Sequence, residues 1–195
     1  DIIDQLFIVA TGYEGMRVSE VAHMNESWID FQSTPKVIAI PESQSCDCAE
    51  CVARVKRMAK EDGLRPEEIA KIKRGEWKPK TKMGARKIPI RKQALPIFRK
   101  YFSVYRRVNK TRQTIFKHIK AVAKKTTITK EIYPHSLRAT AGTLWANMGV
   151  PANSLRRIMG WEKIETANEY LGTDKDSAVR EAVFWEERYS ERDIR

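Results

Sequence analysis

From Gln93 to Lys130 the chain carries no acidic residue, and this run lies inside a longer basic block. Residues 52–130 hold 26 Lys and Arg against 5 Asp and Glu, a net charge of +21. Such a block repels itself unless its charge meets an anion, and a polyphosphate backbone is the commonest partner of that kind. The flanks differ. Residues 1–51 hold 2 basic and 9 acidic side chains, and residues 131–195 hold 9 and 11, so the surplus of +12 arises wholly in the middle. The plainer alternative is a solvated, generally basic surface. A lipid surface is disfavoured, because no terminal segment joins a clean apolar face to a basic one.

The remaining composition bounds the class. A chain of 195 residues with 42% hydrophobic content can bury a core, and its length suits one domain or one domain with an insertion. No apolar run approaches the ~20 residues of a membrane span, and no secretory signal is evident. Three cysteines cannot all pair with one another, which favours an intracellular setting over a disulfide framework. The opening residues, DIIDQLFIVATG, read as mid-helix, so the chain is expected to start within a longer protein.

Hydrophobic periodicity divides the chain into helices around a few short strands. Residues 2–10 form a buried helix, broken at Thr11-Gly12-Tyr13-Glu14-Gly15, and a short helix runs from Met16 to Ala22. Residues 27–31 and 36–40 read as a hairpin around Pro35, with a third strand at 86–90 whose Pro89 suggests an edge position. Between these strands lies an insertion at about residues 42–80, with helical patterns at 51–61 and 66–74. Downstream, Leu95, Ile97, Phe98, Tyr101 and Phe102 share one helical face, as do Ile115, Ile119 and Val122, with Thr111 as an N-cap. Pro134 opens a helix to Met148, and further helices follow at about 153–159, 164–171 and 176–190.

Three groups can carry chemistry. Arg17 and Glu20 are spaced i, i+3 and can pair, and Arg17 is one of two basic residues in an acidic segment. His135 and Arg138 project from one face at a helix N-terminus, where free N–H groups and the dipole favour an anion. An arginine fork matches phosphate, and a histidine can move a proton near neutral pH. The third group is Met159-Gly160-Trp161, followed nine residues on by Tyr170. By itself Tyr170 is one of six tyrosines, and a tyrosine acts as a nucleophile only where a cationic site offsets its pKa of ~10.

Taken in order, TGYEGMRVSE, TKMGARKIPI, HSLR and MGW with its later Tyr resemble the catalytic domain of tyrosine recombinases, the phage-integrase family of archaeal and bacterial mobile elements. The resemblance covers about residues 1–175. It implies a mainly helical α+β fold with a small antiparallel three-stranded sheet, spanning residues 1–195. It further implies a site-specific DNA recombinase, or integrase, that works through a 3′-phosphotyrosyl intermediate. By the same resemblance Arg17 and Arg138 would hold the scissile phosphate, with Glu20 supporting Arg17. Lys82 would protonate the leaving 5′-oxygen, with Lys80 and Lys87 as neighbours in that segment. His135 would act as acid/base, Trp161 would contact or position the phosphate, and Tyr170 would be the nucleophile. No cofactor is implied for catalysis. The implied partners are double-stranded DNA and further copies of the chain, as a dimer or tetramer in the synapse, in a cytoplasmic, nucleoid-associated setting away from membranes.

Several features depart from the family pattern. Cys46, Cys48 and Cys51 offer three thiolates for a candidate structural zinc, but tetrahedral zinc takes four ligands. His118, His23, Asp47 or Glu50 would have to supply the fourth, and three reduced cysteines are the alternative. The insertion, basic beyond Cys51, is expected to reach DNA backbone or a partner subunit. Val179, Val183, Phe184 and Trp185 fall at helical spacing and would pack on a neighbour or on the chain's own core. The N-terminal core-binding domain usual in the family is missing from this sequence. Competing readings are a type IB topoisomerase, a DNA-binding protein without catalysis, and an RNA-binding basic domain.

Overall fold

The computed structural model describes residues 1–171 and, beyond them, Val179, Val183 and Glu186. Apart from these three, the expected helix at 176–190, with Phe184 and Trp185, lies outside the described residues.

Helix α1 (Ile2–Gly12) starts on an N-cap, the Asp1 carboxylate accepting from the Ile3 N–H at 3.1 Å. It continues through Thr11 and Gly12, where composition suggested a break. Thr11 is fully buried, and its hydroxyl donates to the Phe7 carbonyl one turn back at 2.6 Å, so its polar group is satisfied within the helix. The chain turns at Gly15 and enters α2 (Val18–His23).

Strands β1 (Ile29–Asp30) and β2 (Val37–Ile40) pair antiparallel, Ile29 opposite Ile38. An excursion follows: β3 (Gln44–Cys46), α3 (Ala49–Glu61), α4 (Pro66–Lys71) and β4 (Gly75–Trp77). Here β3 and β4 form a second antiparallel sheet, with Gln44 opposite Trp77 and Cys46 opposite Gly75. The sequence reading found the two helices and missed both strands. Each is three residues long, too short for alternation to register against its neighbours. A 3-10 turn, Lys82–Gly84, leads into β5 (Arg86–Pro89), which closes the first sheet in the order β1-β2-β5. Pro89 therefore lies on an edge strand, where its missing N–H costs little. Along β5, Lys87 faces out while Arg86 and Ile88 face in.

Helices α5 (Leu95–Phe102) and α6 (Arg112–Ala123) cover α1, burying Phe98, Tyr101, Phe102, Ile115 and Ile119 as their periodicity predicts. The Thr111 hydroxyl caps α6, accepting from the Thr114 N–H at 3.1 Å. The chain then builds a smaller layer from α7 (Pro134–Asn147), α8 (Ala152–Met159) and α9 (Ile164–Leu171). Its core of Ala141, Trp145, Leu155, Met159 and Ala167 is separate from the main one, which contains Leu6, Phe7, Met16, Ile38 and Ile88. Helix α7 packs on α1 and joins the two layers. Among the described residues no helix is long and apolar enough to cross a membrane.

Candidate active site

The seam between the two layers holds the arginines. Arg17 is the N-cap of α2, and Glu20, in the first turn, reaches back to accept from the Arg17 backbone N–H at 2.7 Å and from Arg17 Nη1 at 2.9 Å. The same carboxylate receives Arg86 from β5, with Nη1 to Oε1 at 2.9 Å and Nη2 to Oε2 at 3.0 Å. Arg86 also donates to the carbonyls of Gly84 and Ile158, both at 2.7 Å. Glu20 is fully buried. Burial alone would raise its pKa, but Arg86, Arg138 and Arg17 together outweigh that and hold it below the ordinary carboxylate value.

Arg17 Nη2 donates to the Gly160 carbonyl at 2.6 Å, which ties α2 to the end of α8. Gly160 is left-handed (φ 65°) and terminates α8. A Cβ there would also lie 2.9 Å from the Met83 carbonyl oxygen and 3.0 Å from Arg86 Cδ, so the Lys82–Gly84 turn seats directly against this glycine. Arg138, 6% exposed, bridges both layers by donating Nη1 to the Gly15 carbonyl and Nη2 to the Met159 carbonyl. Burial and the nearby Arg17 bring its pKa down to about 9. Three guanidinium groups thus gather around one carboxylate. The bonds described use two of the five N–H groups of Arg17 and two of those of Arg138.

Tyr170 lies near enough to Arg138 for the two to interact electrostatically. Its ring stacks on Trp161, with centroids 4.9 Å apart and planes at 21°. Both rings press on Gly142, one turn beyond Arg138 on α7. A Cβ at Gly142 would come within 2.9 Å of Tyr170 Cε1 and 3.2 Å of Trp161 Cη2, so any side chain there would push the pair away. Burial raises the Tyr170 pKa, and Arg138 partly offsets that rise. His135 stands exposed in the first turn of α7, one turn before Arg138, and Lys82 is exposed in its 3-10 turn.

Arg86 was not singled out in the sequence. It lies in a run of basic residues, Lys82, Arg86 and Lys87, where charge alone does not separate inward from outward. The alternation of β5 carried the missing signal, because Arg86 shares its face with buried Ile88 and so requires a buried acid.

Glu14 was missed as well. It is fully buried at the turn after α1, where Oε1 accepts from the Arg91 N–H at 3.1 Å and Oε2 meets no hydrogen-bond partner among the described residues. The Arg91 guanidinium lies 4.1 Å over the Trp145 ring. Burial pushes the Glu14 pKa from 4.5 up to about 7, against a smaller pull from Arg91. Between those values the folded chain binds the proton more tightly than the unfolded one, so this group's contribution to stability declines as pH rises through the window. Glu14→Gln removes that dependence. Relative to the parent chain it is expected to gain up to about 3 kcal/mol between pH 4.5 and pH 8, at 1.36 kcal/mol per pH unit of the window. Denaturant unfolding of both chains at pH 5 and pH 8 checks this.

The cysteines lie away from the arginines, at the far end of α2. Sγ of Cys46, Cys48 and Cys51 and a ring nitrogen of His23 all fall within 4.8 Å of one another. Of the other residues considered as ligands, His118 pairs with Asp4 at 2.6 Å, Asp47 with Arg107 at 2.8 Å and Glu50 with Arg112 at 2.6 Å.

The sequence profile of the phage integrase family matches residues 1–177, and the chain belongs to that family. Solved structures similar to it include the XerA recombinase, at 17% identity and a TM-score of 0.57, covering 94% of this chain and 56% of that one. The Tn1549 transposon integrase in complex with circular intermediate DNA is similar at 20% identity and a TM-score of 0.58, covering 93% and 59%. A second structure of that integrase, with transposon right end DNA, gives 22% identity, a TM-score of 0.58 and coverages of 91% and 57%. The likeness is one of fold, and the chain spans less than three fifths of the length of these relatives. Among curated proteins no sequence matches.

Proposed function

We propose that this chain is the catalytic part of a site-specific DNA recombinase that cuts and rejoins DNA through a phosphotyrosyl bond on Tyr170. The observation that carries the reading is a surplus of buried and half-buried positive charge beside a tyrosine. Arg17, Arg86 and Arg138 converge on the single carboxylate of Glu20, and Arg138 is near enough to shift the Tyr170 pKa. Burying cations without equal anions is costly, and an incoming phosphodiester would restore the balance.

Each group then takes a role. Tyr170 Oη attacks phosphorus and the bond to the 5′-oxygen breaks, with the electron pair leaving on that oxygen. Arg17 and Arg138 hold the non-bridging oxygens as charge builds on them, which is the main source of rate in a step of this kind. A phenol is protonated at neutral pH and burial pushes Tyr170 further that way, so it needs a base as it attacks, and His135 takes that proton. Lys82 delivers a proton to the leaving 5′-oxygen. Trp161 orients the tyrosine ring and donates at most one hydrogen bond to phosphate. The ester conserves the bond energy, so a 5′-hydroxyl from a second DNA end can reverse the step without a nucleotide cofactor. Because Tyr170 packs among residues of its own chain, we read cleavage as occurring in cis.

The basic block supplies the grip. Arg54, Arg57, Lys78, Lys80 and Arg112 line a cleft of about 480 Å³ between the excursion and α6, a surface suited to phosphate backbone. Double-stranded DNA is the proposed substrate, and exchange between two duplexes calls for a dimer or tetramer of the chain on DNA.

Nicked duplexes of randomised sequence, in which the short fragment bearing the new 5′-hydroxyl diffuses away after cleavage, test the proposal. The parent chain is expected to leave a covalent adduct on a denaturing gel. Tyr170→Phe is expected to leave none while binding DNA with similar affinity. Adduct surviving in Tyr170→Phe would sink the assignment.

A further inference from the structure

We propose that His23, Cys46, Cys48 and Cys51 together hold one zinc ion, and that this ion clamps the β3-to-β4 excursion onto the helix that starts at Arg17. This site is separate from the recombinase reading and does not depend on it. Nothing in phosphoryl transfer by arginines and a tyrosine calls for three thiolates and an imidazole at the far end of α2.

The geometry suits a tetrahedral ion. His23 Nε2 lies 3.5 Å from both Cys48 Sγ and Cys51 Sγ. Bonds of about 2.3 Å to sulfur and about 2.05 Å to nitrogen, at the tetrahedral angle, put nitrogen and sulfur about 3.5 Å apart. The four ligand atoms lie within 4.8 Å of one another, close enough to share one centre. Three soft thiolates with one imidazole select zinc over the hard oxygen-seeking cations.

The surroundings fix the donors. His23 Nδ1 is 2.7 Å from the Ser19 carbonyl oxygen, which can only accept. The ring proton therefore sits on Nδ1, and Nε2 turns its lone pair toward the sulfurs, the orientation a metal-bound histidine needs. The backbone N–H groups of Cys48 and Cys51 donate to Cys46 Sγ and Cys48 Sγ, each at 3.4 Å, which spreads thiolate charge. Cys48 is also the N-cap of α3, so its sulfur stands at the positive end of that helix. Trp77 of β4 stacks on the His23 ring at 5.2 Å, and the Gln44 amide donates to the His23 carbonyl at 2.7 Å. Ligands and supports thus come from β3, α3, β4 and the end of α2.

The ligand spacing explains why the sequence alone left the set incomplete. Cys46, Cys48 and Cys51 lie within six residues, whereas His23 comes from 23 residues before the first of them. Only the packing of β3 against the end of α2 brings them together.

The test uses the full chain purified under reducing conditions without chelator. Elemental analysis is expected to give about one zinc per chain. The three thiols should resist a disulfide-exchange reagent until a strong chelator is added, and zinc release should match their exposure. Cobalt(II) added to the stripped chain should give tetrahedral visible bands with a sulfur charge-transfer band. Cys51→Ser and His23→Ala should each lose most of the zinc, and His23→Ala should shift the cobalt bands of any ion still held. Freely reactive thiols in a zinc-free parent chain would overturn the proposal, as would zinc retained undiminished in both variants. If either variant fails to fold, the zinc content and thiol protection of the parent chain decide the matter. Covalent DNA adduct is not the readout, so failure here leaves the catalytic reading standing and the reverse holds too.

Discussion

Glu20→Gln is expected to cost about 3–5 kcal/mol of stability, a large share of the 5–15 kcal/mol typical of a whole domain. The side chain keeps its shape, but its charge is gone, and an amide NH2 now faces arginine donors. Arg86, whose side chain is 5% exposed, would be left without the carboxylate that accepts two of its N–H groups. In a chain of this size the loss corresponds to a fall of roughly 6–20 °C in melting temperature. The double variant Glu20→Gln, Arg86→Met should recover part of it, because removing the unpaired cation removes the larger penalty. The parent pair also has a pH signature. Since the folded carboxylate titrates below its ordinary value, its contribution is complete above the unfolded pKa and is lost as pH falls toward the folded one. Thermal melts of the parent chain and the two variants from pH 3 to pH 7 check both points. A double variant less stable than Glu20→Gln alone would contradict this account of the pairing.

Arg138→Lys is expected to slow covalent adduct formation by about 10²–10³-fold at saturating DNA, the usual effect of deleting one preorganised donor at a developing oxyanion. Lysine keeps the charge and loses the fork. One ammonium cannot reach the Gly15 and Met159 carbonyls together and still present planar donors to phosphate. Arg138→Ala should be slower again, and it would also leave two backbone carbonyls in the seam without their guanidinium partner, at about 1–3 kcal/mol each. Comparing the two separates chemistry from folding, since melting temperature should fall more in the alanine variant than in the lysine one. Mixing Arg138→Ala with Tyr170→Phe should yield no more adduct than Arg138→Ala alone, because each chain would carry one defect in a site assembled in cis. Adduct from the mixture above that of Arg138→Ala alone would place the tyrosine in a neighbour's site instead.

Much of this arrangement is legible in the sequence. The i, i+3 pairs Arg17/Glu20 and His135/Arg138 lie at helix starts, the second marked by Pro134 in its first turn, and Trp161 and Tyr170 follow a glycine that ends a helix. These local rules placed the residues on their elements. Arg86 escaped because a basic run hides which of its members turns inward, and only the partner strand settles that. Strands β3 and β4 escaped because three residues carry too little pattern, and the sheet they form depends on contact between residues some 30 apart. Thr11 and Gly12 misled as helix breakers, since a threonine can satisfy its hydroxyl one turn back and stay helical. His23 was one of several candidate partners for the cysteines, and tertiary packing alone distinguishes it from His118.

The account turns on the identity of the atom that bonds to DNA. Proteolysis of the adduct trapped on a nicked duplex, followed by mass spectrometry of the nucleotide-bearing peptide, addresses that atom directly. The expected result is a single modified peptide with a phosphodiester on the Tyr170 oxygen and the nucleotide attached through its 3′-oxygen. A nucleotide on any other residue, or attachment through the 5′-oxygen, would contradict it.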